Sequence, residues 1–277
     1  MIRDILHSFN IDSFAFVNAA DCKTANLRLR KALPDDANVI FMLFPYYFGN
    51  GDGNISAYGA VQDYHSFAAE VFSKLSEYFT ERYPSKLFKG FSDHSPYLEC
   101  EGAALAGLGF LGENSLLITE KYSSFVFIGE AVTTLSDKEL AFEGVPKGTG
   151  AIKRCEGCMA CVRACPSGCV GKAERDLCIS SLTQKKAPLS DDEKKLIKAA
   201  GSIWGCDICQ NACPHTKKAL REGTIYTDIA FFKNSYIGKD PTNTIEKMDD
   251  DTFSLYPFSW RKREIIQRNI DILQEEN

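Results

Sequence analysis

Nine of the eleven cysteines in this 277-residue chain fall between Cys155 and Cys213, and Cys22 and Cys100 stand apart from them. Such crowding restricts what that segment can fold around. A disulfide framework suits a small secreted domain rather than one stretch of a long chain, so the cluster reads as metal ligation. The length allows one large domain, or a medium domain with a small one beside it. Hydrophobic residues make up 44% and charged residues 25%, the balance of an ordinary globular protein. No run approaches the ~18 apolar residues of a membrane-spanning helix. Residues 1–10 lack a basic segment followed by an apolar one, so they read as mature protein rather than a signal peptide, which implies the cytoplasm and no membrane partner.

Within the cluster, Cys155-x-x-Cys158-x-x-Cys161-x-x-x-Cys165-Pro166 has the spacing of the bacterial ferredoxin run C-x₂-C-x₂-C-x₃-C-P. Three closely spaced thiolates can close on one cube, while the fourth, past a turn, faces the other cube. Zinc sites of four thiolates are built instead from two C-x₂-C pairs. A second run, Cys206-x-x-Cys209-x-x-x-Cys213-Pro214, repeats the motif with Ile203 in place of its first cysteine. Two cubes need eight thiolates and the runs supply seven, leaving Cys169, Cys178, Cys22 and Cys100 as candidates for the eighth. Cys169 lies on the turn leading out of the first run. Cys178 lies farther on and can return from another direction, so it is assigned. The expected wiring is crossed: Cys155, Cys158, Cys161 and Cys213 hold one [4Fe–4S] cluster, and Cys165, Cys178, Cys206 and Cys209 hold the other. Cys22, Cys100 and Cys169 read as small buried hydrophobes.

The pattern divides the chain into residues 1–148, an α/β (α+β) layered domain; 149–225, a two-cluster ferredoxin-like domain; and 226–277, a tail with a terminal helix. In the first part, Ser13–Asn18 and Asn38–Tyr46 are strand-length apolar runs. Asp21–Lys31 reads as a helix capped by Asp21. Val61–Arg82 reads as a long amphipathic helix, Leu87–Phe91 as a strand and Tyr97–Gly107 as a helix ended by glycine. Ser115–Thr119 and Ser124–Thr134 read as a strand pair, and Gly144–Gly150 as a linker. A charged helix is expected over Ser190–Ala200 and a terminal one over about Trp260–Gln274. The net charge of −5 argues against a general nucleic-acid binder. The charge is uneven, −7 over residues 1–150 and +2 over 151–277, so contact with a polyanion would fall to the C-terminal half.

Several segments together resemble the epoxyqueuosine reductase family: Asp176-Leu-Cys178-Ile-Ser180, Gly205-Cys206-Asp207-Ile208-Cys209-Gln210, Asp93-His-Ser-Pro96, Ala106-Gly-Leu-Gly-Phe-Leu-Gly-Glu-Asn114, Ser56-Ala-Tyr58 and Asp63-Tyr64-His65. The resemblance spans roughly residues 35–225. It implies a cobalamin-binding domain ahead of a double-cluster domain, and reduction of epoxyqueuosine to queuosine in tRNA. Two alternatives remain: reduction of a small molecule on the same machinery, as in reductive dehalogenases, and a ferredoxin-type electron carrier with no substrate of its own. Cobalamin is implied by the resemblance alone, since the Asp-x-His-x-x-Gly signature of base-off, His-on cobalamin proteins is absent.

The same resemblance implies Asp93 as the catalytic acid, where the residues alone suggest a helix cap. It implies Tyr58, Asn114, Ser180 and Asp207 as residues approaching the corrin. An external electron donor, a flavodoxin, ferredoxin or reductase, and the tRNA anticodon stem-loop are the implied partners. The sequence departs from the family at Glu113, where the family has Lys, at Ser95, where it has Gly, and at Gln62, where it has Arg. It is also short of most of the family's C-terminal helical-repeat region. Lys185-Lys186, Lys194-Lys195, Lys217-Lys218 and Trp260-Arg261-Lys262-Arg263 are the basic groups available for phosphate contact.

Overall fold

A computed structural model of the chain describes residues 1–49, 53–172 and 175–275. It divides into two compact units, the first formed by residues 1–45, 64–120 and 126–156, the second by 46–63, 121–125 and 157–277.

The first unit is built on an antiparallel sheet. Its strands are β1 (Phe14–Asn18), β2 (Asn38–Pro45) and β3 (Phe88–Phe91), then, after the short hairpin of β4 (Phe110–Leu111) and β5 (Leu117–Ile118), β6 (Val126–Thr133), in the order β1-β2-β6-β3. Every residue of β2 is buried, because both faces of this central strand are covered and its sequence is apolar almost without interruption. Five helices belong to this unit: α1 (Ile2–Ser8), α2 (Leu27–Lys31), α3 (Tyr64–Arg82), α4 (Glu99–Leu105) and α5 (Asp137–Phe142). Val39, Phe41 and Leu43 join a core with Ala103–Ala106 of and after α4, while Phe44 meets Phe67 of α3 edge-on at 5.3 Å. Gly102 allows the close approach of α4 to β2: a β-carbon there would come within 2.1 Å of the Phe41 ring.

Three local expectations are corrected. Asn26, not Asp21, caps the second helix, accepting from the Arg28 and Leu29 amides, and the helix is correspondingly short. The segment after 124 is β6 and pairs with β2 and β3, while Leu117–Ile118 pairs with Phe110–Leu111. Eight buried or half-buried residues let β6 serve a central sheet position, which a two-residue strand cannot. Nor does Asp93 cap a helix; Leu98 occupies the cap position of α4.

The second unit is helical. It contains α6 (Ala160–Ala164), α7 (Ile179–Thr183), α8 (Asp191–Ala200), α9 (Ile208–Asn211), α10 (Pro214–Glu222), α11 (Ala230–Asn234), α12 (Thr242–Glu246), α13 (Asp250–Ser254) and α14 (Arg263–Gln274). Its boundaries differ from the three-part sequence division. Ile55 and Ala60 pack with Ile203, Trp204, Ile245, Phe258, Ile266 and Ile270, so the tail and the 46–63 segment share one core with the cysteine region. Fully buried Asn269 fastens this core, donating to the carbonyls of Thr183 at 2.7 Å and Ile203 at 2.8 Å. Arg268 donates to the Lys185 carbonyl at 2.7 Å. Asn269→Leu keeps the volume but takes the side-chain donor from the buried Ile203 carbonyl and leaves the Thr183 carbonyl only a long bond from Arg268 at 3.5 Å. It should cost on the order of 2–4 kcal/mol, read as a lower urea midpoint at unchanged slope.

Candidate functional site

The turn after β3 carries the candidate acid. Asp93 adopts a left-handed backbone, φ 57°, and the His94 amide donates to the Ser92 carbonyl at 2.6 Å, closing the chain tightly around it. Aspartate is among the few residues that tolerate this region. Four side chains fix the turn. The Tyr64 hydroxyl donates to Asp93 Oδ1 at 2.7 Å, and His65 Nε2 lies 3.3 Å from Oδ2. The Asp93 amide donates to Glu99 Oε1 at 3.1 Å. Behind them, Ser95 donates to the buried carboxyl of Glu130. Tyr64 is itself fixed by stacking on Phe127, with centroids 4.2 Å apart and planes at 8°.

These contacts separate three carboxyls. Desolvation raises Asp93, but the hydrogen bonds from His65 and Tyr64 outweigh it and hold the group below the ordinary 3.8. Desolvation, with the Asp93 charge beside it, pushes Glu99 up to about 7. Burial pushes Glu130 up to about 8, and one of its oxygens has no hydrogen-bond partner. A cleft of about 330 Å³ in the same unit is lined by Glu99, Cys100, Glu101, Gly112, Ser115 and Arg154. His94, next to the acid in sequence, is exposed. The histidine that reaches the acid is His65, the second residue of α3, and Glu99 was missed altogether. The spacing of Asp63-Tyr64-His65 before a long helix was the available signal for His65, while nothing in the sequence marked Glu99.

The cysteines lie as follows. Cys155 ends the first unit, its amide donating to the Leu111 carbonyl at 2.9 Å. Cys161 sits on α6, Cys178 at the cap of α7, Cys209 on α9 and Cys213 at the cap of α10. Burial raises Cys206 to about 12, and Asp207, Cys178 and Cys165 lie close enough to add to the rise. Cys165, Cys178 and Cys206, three thiols assigned to one cluster, are therefore neighbours. Cys169 is buried as expected, yet its sulfur lies 3.8 Å from that of Cys165. Cys22 is buried and Cys100 half-buried. Among the described residues no three His, Cys, Asp or Glu side chains gather tightly enough to grip a single ion. Ligands that each hold a separate corner of a cube need not do so.

The four residues implied as corrin contacts divide by unit and by environment. Half-buried Tyr58 and Ser180 form a polar trio with Gln184, whose Nε2 donates to the Tyr58 hydroxyl at 3.0 Å and to Ser180 Oγ at 3.4 Å. Hydroxyls so placed suit the carboxamides that rim a corrin. Asp207 is buried, and both its oxygens already accept, from the Ala57 amide at 2.6 Å and from Gln210 at 2.8 Å. Asn114, in the first unit, is also buried and accepts from the Leu116 amide at 3.4 Å. These two hold backbone amides, whereas the Tyr58 and Ser180 hydroxyls meet a side-chain amide.

Most of the basic groups are committed. Lys185 pairs with Glu193 at 2.6 Å, Lys194 with Asp191 at 3.6 Å and Lys195 with Asp192 at 3.0 Å. Arg263 donates to the Ile245 and Met248 carbonyls, and Arg261 stacks over Trp260 at 3.6 Å. Trp260 and Lys262 remain exposed.

Residues 154–216 match a family model described as a 4Fe-4S double cluster binding domain. Epoxyqueuosine reductase of Listeria monocytogenes is 34% identical over 158 residues, covering 56% of this chain and 39% of that protein. The enzyme of that name from Gloeobacter violaceus is 30% identical over 225 residues, covering 78% of this chain and 66% of that protein. Across the first three such relatives the chain spans 39–53% of their length, about half. Among solved structures, epoxyqueuosine reductase from Streptococcus thermophilus aligns with a TM-score of 0.76 at 22% identity, over 98% of this chain and 79% of that one. An epoxyqueuosine reductase crystallised with an epoxyqueuosine-modified tRNA-Tyr stem loop aligns with a TM-score of 0.77 at 22% identity, over the same shares. The mixed helix-and-strand fold is thus that of these enzymes, and no helix among the described residues is long and apolar enough to cross a membrane.

Proposed function

This chain is a relative of the epoxyqueuosine reductases, and we propose that it reduces epoxyqueuosine in tRNA to queuosine, using two [4Fe–4S] clusters and a cobalamin. The observation that carries the reading is a double-cluster segment in the same chain as an exposed aspartate whose carboxylate is held on both oxygens. The eight cysteines assigned above hold the clusters, which pass electrons singly from a flavodoxin- or ferredoxin-type donor in the cytoplasm.

Cobalamin, when bound, supplies a strongly nucleophilic reduced metal for attack on an epoxide carbon. Tyr58 and Ser180 would hold it through hydrogen bonds, while Asn114 and Asp207 each hold the local backbone of their own unit. The chain's own residues manage the protons. An epoxide becoming an alkene and water takes up two electrons and two protons. Asp93 delivers a proton to the oxygen as the ring opens, and Tyr64 and His65 aim its carboxyl.

The test is turnover of an epoxyqueuosine-containing anticodon stem-loop by anaerobically reconstituted protein, with binding titrated at two salt concentrations. With Lys185, Lys194 and Lys195 paired and Glu113 exposed, binding should be weak and salt-sensitive. Lys262→Ala should lower the salt slope by about one if that lysine meets a phosphate. An absence of binding even at low salt would defeat the tRNA reading and favour a small-molecule reductase.

A further inference from the structure

Asp93 has a difficulty as a proton donor: it is arranged to be charged. Both its oxygens face donors, Tyr64 at 2.7 Å and His65 at 3.3 Å, which is the surrounding of an acceptor-only carboxylate. A proton must therefore be stored nearby. Glu99 opens α4 with Oε1 against the Asp93 amide at 3.1 Å, and its side chain lines the 330 Å³ cleft. Two adjacent carboxyls resist ionising together. The donors on Asp93 decide which member of the pair takes the charge.

We infer that Glu99 holds the proton of the Asp93–Glu99 pair in the resting chain and passes it to Asp93 for delivery to the substrate. The second half of this rests on the reductase reading. In balance, the Glu99 O–H bond breaks as an Asp93 O–H bond forms, that proton goes to the epoxide-derived oxygen, and a hydronium ion or buffer acid from solvent gives Glu99 its next proton through the cleft. Two protons per two electrons mean that Asp93 must be reloaded within one turnover, and Glu99, with Oε1 against the Asp93 amide and its side chain on the cleft, is placed to do it. The elevated titration of Glu99, near 7, agrees with this storage. The other groups facing the pair are His65 on α3 and Glu130 on β6, with Glu101 of α4, paired to Lys23, and Arg154 also lining the cleft. Glu130, fully buried with an unpartnered oxygen, is a neutral neighbour rather than a competing charge.

Glu99→Gln keeps an oxygen for the Asp93 amide and removes the proton. Wild-type turnover should fall about tenfold per pH unit above about 7, where Glu99 ionises. In the variant, neutral-pH turnover should drop by about 10² or more and climb on acidification, because Asp93 must then be protonated from bulk water. A Glu99 that only braces the turn would leave the inflection in place. The substrate-free chain gives a second readout. The infrared band of a protonated carboxylic acid titrating near pH 7 should vanish in Glu99→Gln and persist in Glu130→Gln. Wild-type protein that reduces no epoxyqueuosine would overturn the substrate reading while the band still locates the proton. Survival of that band in Glu99→Gln, or an unmoved inflection, overturns the inference.

Discussion

Asp93→Asn should lower turnover by about 10²–10⁴, the range for loss of a general acid, with iron content and cobalamin binding unchanged. Asparagine is the informative substitution because the backbone is left-handed at this position, φ 57°, and Asn tolerates that region as readily as Asp. Its amide oxygen can still accept from the Tyr64 hydroxyl, so the turn stays tied to α3. What it lacks is a proton to give. The turn has anchors that survive the change, the Asp93 amide on Glu99 and Ser95 on Glu130, so folding should be little affected. Iron analysis, corrin absorbance and single-turnover product analysis on the same preparation separate loss of chemistry from loss of structure. Full activity in this variant would leave Asp93 as a turn residue with no part in the reaction.

The cysteine runs and the long strands were legible in the sequence because their signals are dense. Asn38–Pro45 is apolar at nearly every position, and the C-x₂-C-x₂-C-x₃-C-P spacing is matched residue for residue. Before its terminal helix the tail carries no periodic apolar pattern, yet Phe232, Ile245, Phe253 and Phe258 are buried there. Each belongs to an element of about five residues, too short to show a helical period, and they find one another only in three dimensions. The acid's surroundings were hidden for a related reason. His65, Glu99 and Glu130 lie 28, 6 and 37 positions from Asp93 in sequence, on a helix, another helix and a strand. Only the packing of α3 and α4 against the sheet brings them to one turn. Asp207 shows the reverse: a residue marked by its place beside Cys206 turns out to hold the Ala57 amide from within.

Cys178→Ala should reduce iron from about eight to about four per chain, while Cys169→Ala retains about eight. Cys169 has both Cys165 and Cys178 close to it, so proximity alone does not choose between Cys169 and Cys178. Chain geometry does. Cys169 follows Cys165 by four residues and its sulfur lies 3.8 Å away, on the same side of the site. Sulfurs that hold separate corners of a cube stand well apart, and this pair is in contact. Cys178 arrives from a different segment, at the cap of α7, and approaches Cys206 as Cys165 does. Its position is held from the far end of that helix, where Asn269 and Arg268 of α14 take the carbonyls of Thr183 and Leu182. The terminal helix thereby fixes a cluster ligand through the helix it braces. Retention of about eight irons in Cys178→Ala, with loss of half in Cys169→Ala, would transfer the eighth ligand to Cys169.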